Sequence, residues 1–137
     1  MQKIGWNVVG GKSVQQIGSI INGKQNRAAD ANTIEVRNPY NGELLATIAC
    51  ATKENVLAAV DGAQAVFERE MRQMAAHERS KILRNASLLL EERSERFAHC
   101  ISAEAGKPIV EARAEVMRAV QVLLFASEEA KLSLIHI

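Results

Sequence analysis

Thr33-Ile34-Glu35-Val36-Arg37-Asn38-Pro39-Tyr40-Asn41-Gly42-Glu43-Leu44-Leu45-Ala46-Thr47-Ile48-Ala49-Cys50-Ala51-Thr52-Lys53-Glu54-Asn55-Val56 is the stretch whose reading organises the whole chain. Thr33 to Arg37 alternates polar and apolar residues, as a half-buried strand does. Asn38 to Gly42 is a turn, because proline presets φ and glycine can take the left-handed position. Glu43 to Ala49 then predicts a second strand. Thr52 suits a helix N-cap, and Glu54 lies in the first turn, where the helix end is positive. Before Thr52 the chain is rich in Gly, Asn and β-branched residues; after it Ala, Leu, Glu and Arg dominate.

Towards the N-terminus, Ile20 and Ile21 precede Asn22-Gly23, a strong hairpin turn. A small β-hairpin or meander results, and two or three short strands are marginal unless something packs on them. Residues 1–18 show no clear periodicity. They are either a native extension or upstream sequence read in frame. Gly10-Gly11-Lys12-Ser13 has the tail of a phosphate-binding loop, but such a loop needs glycine where Trp6 stands.

Towards the C-terminus the spacing predicts four helices. Val56, Val60, Ala63, Phe67 and Met71 share one face of the first. The second begins near His77, with Ile82, Leu83, Ala86, Leu89 and Leu90 as its apolar stripe. The third runs from about Ser94 through Phe97 and Ile101 and stops at Gly106, a left-handed cap. Pro108 sits where a new helix tolerates proline. The fourth helix carries Val116, Val120, Leu123 and Leu124. No cap closes that helix, and Leu132-Ser133-Leu134-Ile135-His136-Ile137 match the translation of a transposon end used in sequencing libraries. Residues 132–137 are therefore expected to be a scar, outside the fold.

Composition excludes several classes. With 17 basic and 16 acidic side chains, the chain has no surplus of positive charge for nucleic acid or an anionic membrane. No apolar run is long enough to span a bilayer, and no secretory h-region precedes the fold. Cys50 and Cys100 have neither the spacing of a metal site nor that of a disulfide framework. A reduced, cytoplasmic protein is expected.

The order of elements resembles that of NAD(P)-dependent aldehyde dehydrogenases. Ile21-Asn22-Gly23-Lys24 is similar to the family's first strand and turn. Val36-Arg37-Asn38-Pro39-Tyr40-Asn41-Gly42-Glu43 resembles its Asn-Pro turn, and Ala51-Thr52-Lys53-Glu54-Asn55-Val56 the start of its first helix. Glu104-Ala105-Gly106-Lys107-Pro108 resembles its Glu-x-Gly-Lys-Pro corner, with Glu115-Val116 at the matching distance beyond. The resemblance runs over residues 19–131 and implies the N-terminal part of the cofactor-binding domain. The implied parent fold is α/β with a Rossmann-type domain; the chain itself would be a short β-meander followed by about four α-helices. Such a piece should expose apolar surface.

The resemblance implies oxidation of an aldehyde to a carboxylic acid with NAD or NADP. A cysteine thiolate attacks the aldehyde, and a glutamate-activated water hydrolyses the resulting thioester. All those groups, and the glycine turn for the cofactor phosphates, are expected downstream. The piece alone would bind no cofactor, contain no catalytic residue and be inactive, while the parent would be a homodimer or homotetramer acting on a small aldehyde. Cys50, ending a strand, and Cys100, inside a helix, lack the nucleophile's context.

Arg118 is the candidate substrate-binding residue. By its register after Gly106-Lys107-Pro108, the fourth helix resembles the one lining the substrate entrance. Family members that take anionic aldehydes place an arginine at the matching position. A guanidinium holds phosphate, sulfonate or carboxylate through two parallel hydrogen bonds. The plainer alternative is an exposed arginine paired with Glu115 at i,i+3. Ala119 either lines the same passage or packs on a neighbouring helix. Glu104 and Lys107 are expected to pair around the Gly106 bend. His77 and His99 are expected to be solvated, and Glu91 to Arg96 a solvated junction. The contrasting functional class is a helical protein–protein interaction module with a β-hairpin cap.

Overall fold

The computed structural model describes residues 15–26 and 32–132. Among the described residues five short strands precede four α-helices. The chain divides into two compact units. One comprises the described residues up to Ala65 with Ala103–Gly106, the other Val66–Ser102 with the described residues from Lys107 on.

In the first unit, β2 (Ser19–Ile21) and β3 (Lys24–Asn26) form the antiparallel hairpin expected around Asn22-Gly23. Asn22 has φ 52° and Gly23 φ 73°. Two successive positive φ values give a two-residue turn whose twist matches that of the strands. β4 (Thr33–Arg37) pairs antiparallel with β5 (Leu44–Ala49), and the register shifts between Val36 and Arg37. Their connection closes through Asn38 N–H to Glu43 O at 2.9 Å and Gly42 N–H to Asn38 O at 2.8 Å. The Asn38 side chain accepts from Tyr40 N–H at 2.9 Å. Asn41 does the same for Glu43 N–H at 3.0 Å. These local side-chain acceptors explain why Asn flanks the proline.

A single meander does not describe the strands. β1 (Gln15–Ile17) runs parallel to β5, so one sheet has the order β1-β5-β4 and the β2-β3 hairpin stands apart. β1 arises in the stretch without periodicity, where three residues are too few to show alternation. The Gly-Lys-Ser segment near the start and residues 133–137 lie outside the described residues. Leu132, the first residue of the expected scar, closes the last helix.

α1 spans Lys53–Val66. Thr52 caps it: its Oγ1 accepts from Asn55 N–H at 3.3 Å and its carbonyl from Val56 N–H at 3.1 Å. Backbone N–H donation, then the Thr52 hydroxyl, holds the Glu54 carboxyl below its ordinary range. The helix does not continue unchanged to Met71. Phe67–Met71 is a π-helical turn, with Arg72 N–H donating to Phe67 O. Hydrophobic spacing cannot distinguish one extra residue per turn over so short a segment. Val56, Val60, Phe67 and Met71 are all exposed.

In the second unit, α2 (Ala76–Glu92) and α4 (Ile109–Leu132) lie against each other, and α3 begins at Ser94. Glu78 reaches back to accept from Ala75 N–H at 3.3 Å at the start of α2. The apolar stripe expected on α2 is only partly the buried one. Ser80 and Ser87 are buried, with Leu83 and Leu90 half-buried, whereas Ile82 and Leu89 are exposed. Small residues let two helices approach closely, and the Ser87 hydroxyl donates to Val120 O at 3.1 Å. Polarity therefore misidentified the inward face. On α4 the expectation holds: Val116 and Val120 are buried, and Leu123 and Leu124 half-buried. Ala98, Ala112 and Val116 form the core, with Leu90, Ile101 and Ile109 packed on it.

α3 ends at Ala105, and Gly106 has φ 67°, the left-handed cap expected. A Cβ built there would sit 2.8 Å from Pro39 Cγ. Gly106→Ala therefore meets two costs, the left-handed conformation at ~1–2 kcal/mol and displacement of the proline. Urea unfolding of the variant is expected to show a loss of about 2 kcal/mol. An unchanged midpoint would show that this corner is not held as described.

Candidate functional site

Gly106-Lys107-Pro108 sets where α4 begins. Glu111 N–H and Ala112 N–H donate to Pro108 O at 3.0 and 3.1 Å, which starts the helix without needing the N–H that proline lacks. The Lys107 carbonyl accepts from Ser102 Oγ at 2.8 Å. Lys107 is thereby held at its backbone while its side chain reaches along α4.

The ammonium does not pair with Glu104. Lys107 Nζ donates to Glu115 Oε2 at 2.5 Å instead. The left-handed residue between the two helices turns the lysine stem towards α4. The lysine's hydrogen bond and charge hold the Glu115 carboxyl below the ordinary carboxylate range, with Arg118 adding a smaller pull. So the alternative pairing of Arg118 with Glu115 at i,i+3 does not form: among the described residues no carboxylate lies within ion-pair distance of Arg118.

Arg118 and Ala119 are both exposed on α4, on the side away from buried Val116 and Val120 for the arginine. Arg118, Val122 and Phe125 follow at i, i+4 and i+7, hence on one stripe. Val122 is 64% and Phe125 67% exposed. Ala119 stands about a quarter-turn round the helix from that stripe. Sequence reasoning named Arg118 and missed its two apolar neighbours, because the core pattern of α4 drew attention to the opposite face.

Cys50 follows β5, where its N–H donates to Asn32 O at 2.7 Å, and Cys100 lies on α3; both are half-buried thiols outside any disulfide. The run Glu91 to Arg96 is not wholly solvated. Arg113 on α4 grips Glu95 on α3 through Nε at 2.9 Å and Nη2 at 2.9 Å. That two-point contact lowers the Glu95 carboxyl and raises the guanidinium, each through the shared hydrogen bonds first. His99 Nε2 stands 4.0 Å from Glu95, a carboxylate already engaged. His77 is exposed.

Among the described residues, no cluster of three or more His, Cys, Asp or Glu could hold a metal. Among the described residues no helix is long and apolar enough to cross a membrane. The strand-to-helix junction Cys50-Ala51-Thr52 contains no glycine, and Gly23, Gly42 and Gly106 serve turns and a helix end.

Comparison with known proteins fits this arrangement. Residues 26–134 match the model of the "Aldehyde dehydrogenase family". A 3-sulfolactaldehyde dehydrogenase from Priestia aryabhattai is 37% identical over 118 residues, covering 86% of this chain and 24% of the relative. A mitochondrial succinate-semialdehyde dehydrogenase from Oryza sativa subsp. japonica is 37% identical over 112 residues, covering 82% of this chain and 21% of the relative. The crystal structure of an NAD-dependent aldehyde dehydrogenase from Sinorhizobium meliloti superposes with a TM-score of 0.80 at 29% identity, over 88% of this chain and 24% of that one. The chain thus spans about a quarter of the length of the relatives it matches. Short strands leading into four helices, ordered as in these proteins and matched across four-fifths of the chain by the family model, leave one assignment: the chain belongs to the aldehyde dehydrogenase family.

Proposed function

We propose that this chain is the N-terminal part of a cytoplasmic, homo-oligomeric enzyme that oxidises a small anionic or hydroxy aldehyde to its carboxylic acid with NAD or NADP. The observation that carries the substrate class is Arg118, a guanidinium exposed on α4 whose nearest helical carboxylate, Glu115, is engaged by Lys107. Two relatives are named for sulfolactaldehyde and succinate semialdehyde, which carry a sulfonate and a carboxylate. Both groups accept the paired N–H donors that a guanidinium presents.

In this reading the chain supplies scaffold and substrate orientation. The planar fork of Arg118 holds the anionic end, and the exposed Val122 and Phe125 shield the carbon chain beside it from water. The cysteine that forms the thiohemiacetal, the glutamate that activates water and the cofactor cradle come from sequence outside these residues. The exposed Val56 and Val60 on α1, and the exposed Phe67 and Met71 of the π-helical turn, are then each covered by that sequence. An interaction module explains such faces equally well but gives Arg118 no task.

The test is a specificity profile of the length-restored protein. Oxidation of a sulfonate- or carboxylate-bearing aldehyde should exceed that of a neutral aldehyde of equal length by roughly ten-fold or more in kcat/KM, the worth of one charge-assisted contact. Equal kcat/KM for the two would remove the anionic substrate class.

A further inference from the structure

Lys107 pairs with Glu115, the residue three positions before Arg118 on α4, and among the described residues no ion pair joins Glu115 to Arg118. On an isolated helix Glu115 and Arg118, three residues apart, face one another and pair. Here the carboxylate is taken by an ammonium from outside the helix, at 2.5 Å. Lys107 can hold that position because its backbone is fixed on both sides. Gly106 turns the chain at φ 67°, and Ser102 Oγ binds the Lys107 carbonyl at 2.8 Å.

We infer that Lys107 is a positioning residue for the anion site: by occupying Glu115 it keeps that carboxylate off Arg118, whose guanidinium stays open to an anionic substrate. The inference rests on the anion-binding role of Arg118 set out above. It adds that specificity depends on a residue that never meets the substrate. Without the lysine, Glu115 becomes an internal competitor that a sulfonate or carboxylate must displace. An exposed pair of this kind changes affinity by about two- to five-fold, the range measured for surface ion pairs.

Four variants of the length-restored enzyme decide the matter, each assayed with an anionic and a neutral aldehyde. Lys107→Met should raise KM for the anionic aldehyde by about two- to five-fold, with kcat and the neutral KM unchanged. Lys107→Arg, which can still engage Glu115, should restore the wild-type value. Glu115→Gln added to Lys107→Met should also restore it, because the competitor is gone. A purely structural role for Lys107 predicts no rescue by Glu115→Gln, and that result would overturn the inference while leaving the role of Arg118 intact. Arg118→Ala separates the two ideas: if it raises both KM values equally, the anion-binding reading fails and this inference with it. Should Lys107→Met not fold, Glu115→Gln alone decides. It is expected to leave the anionic KM within two-fold. A selective rise there would mean that Glu115 supports the site rather than competing for it.

Discussion

Arg118→Ala in the length-restored enzyme is expected to raise KM for an anionic aldehyde roughly ten- to a hundred-fold and to leave the KM of a neutral analogue unchanged. The magnitude follows from chemistry at one position. Hydrogen bonds to charged groups contribute about 1.5–3 kcal/mol, and every 1.4 kcal/mol is about ten-fold in affinity. Arg118 offers two parallel donors and has no carboxylate within ion-pair distance among the described residues. It stands away from the Ala112-Val116-Val120 core, so truncating it leaves the packing of α4 untouched. A lysine in its place keeps the charge but loses the fork, and Arg118→Lys should recover only part of the affinity. Equal loss on charged and neutral aldehydes would assign Arg118 to the scaffold instead.

Val116→Asp is expected to have the largest effect on folding. Val116 is 2% exposed and lies in the core with Ala98 and Ala112. The cations nearest in sequence are already engaged: Lys107 serves Glu115, and Arg113 serves Glu95. Burying an unpaired charge costs at least ~4 kcal/mol, close to the whole stability of a small domain. Loss of helical circular dichroism at room temperature is the expected readout. Val110→Asp makes the contrast, since Val110 is 72% exposed on the same helix. It should change the unfolding free energy by less than about 0.5 kcal/mol. Similar behaviour of the two variants would mean that α4 does not bury the face described.

Much of the fold was legible where a local rule decides the outcome alone. Asn22-Gly23, the Asn38 to Gly42 turn, the Thr52 cap and the Gly106 stop each depend on residues within one turn of themselves, and each formed as the sequence implies. What escaped depends on distant partners. β1 exists by pairing with β5, some thirty residues on. The inward face of α2 carries Ser80 and Ser87 because close approach to α4 rewards small side chains over apolar ones. The π-helical turn at Phe67–Met71 leaves no mark on the spacing of Val56, Val60, Phe67 and Met71.

The candidate site divides in the same way. Arg118 is proposed from its register behind a short corner sequence, a one-dimensional feature. Its partnership was not legible there, because the choice of Glu115 between Arg118 and Lys107 is made by the direction of the chain at Gly106. Arg113 and Glu95 show the same limitation: they are 18 residues apart and meet only once α3 and α4 pack. Ion pairs between elements are geometric outcomes, and spacing rules of three or four residues see only those within a helix.

The 137-residue chain, purified and given an anionic aldehyde with NAD or NADP, provides the sharpest trial of the idea that it orients substrate while the chemistry belongs to sequence elsewhere. Reduced nicotinamide should not accumulate above the no-protein control, whichever aldehyde is supplied. Steady turnover by this chain, abolished by Cys50→Ser or Cys100→Ser, would place the nucleophile within it and contradict the account.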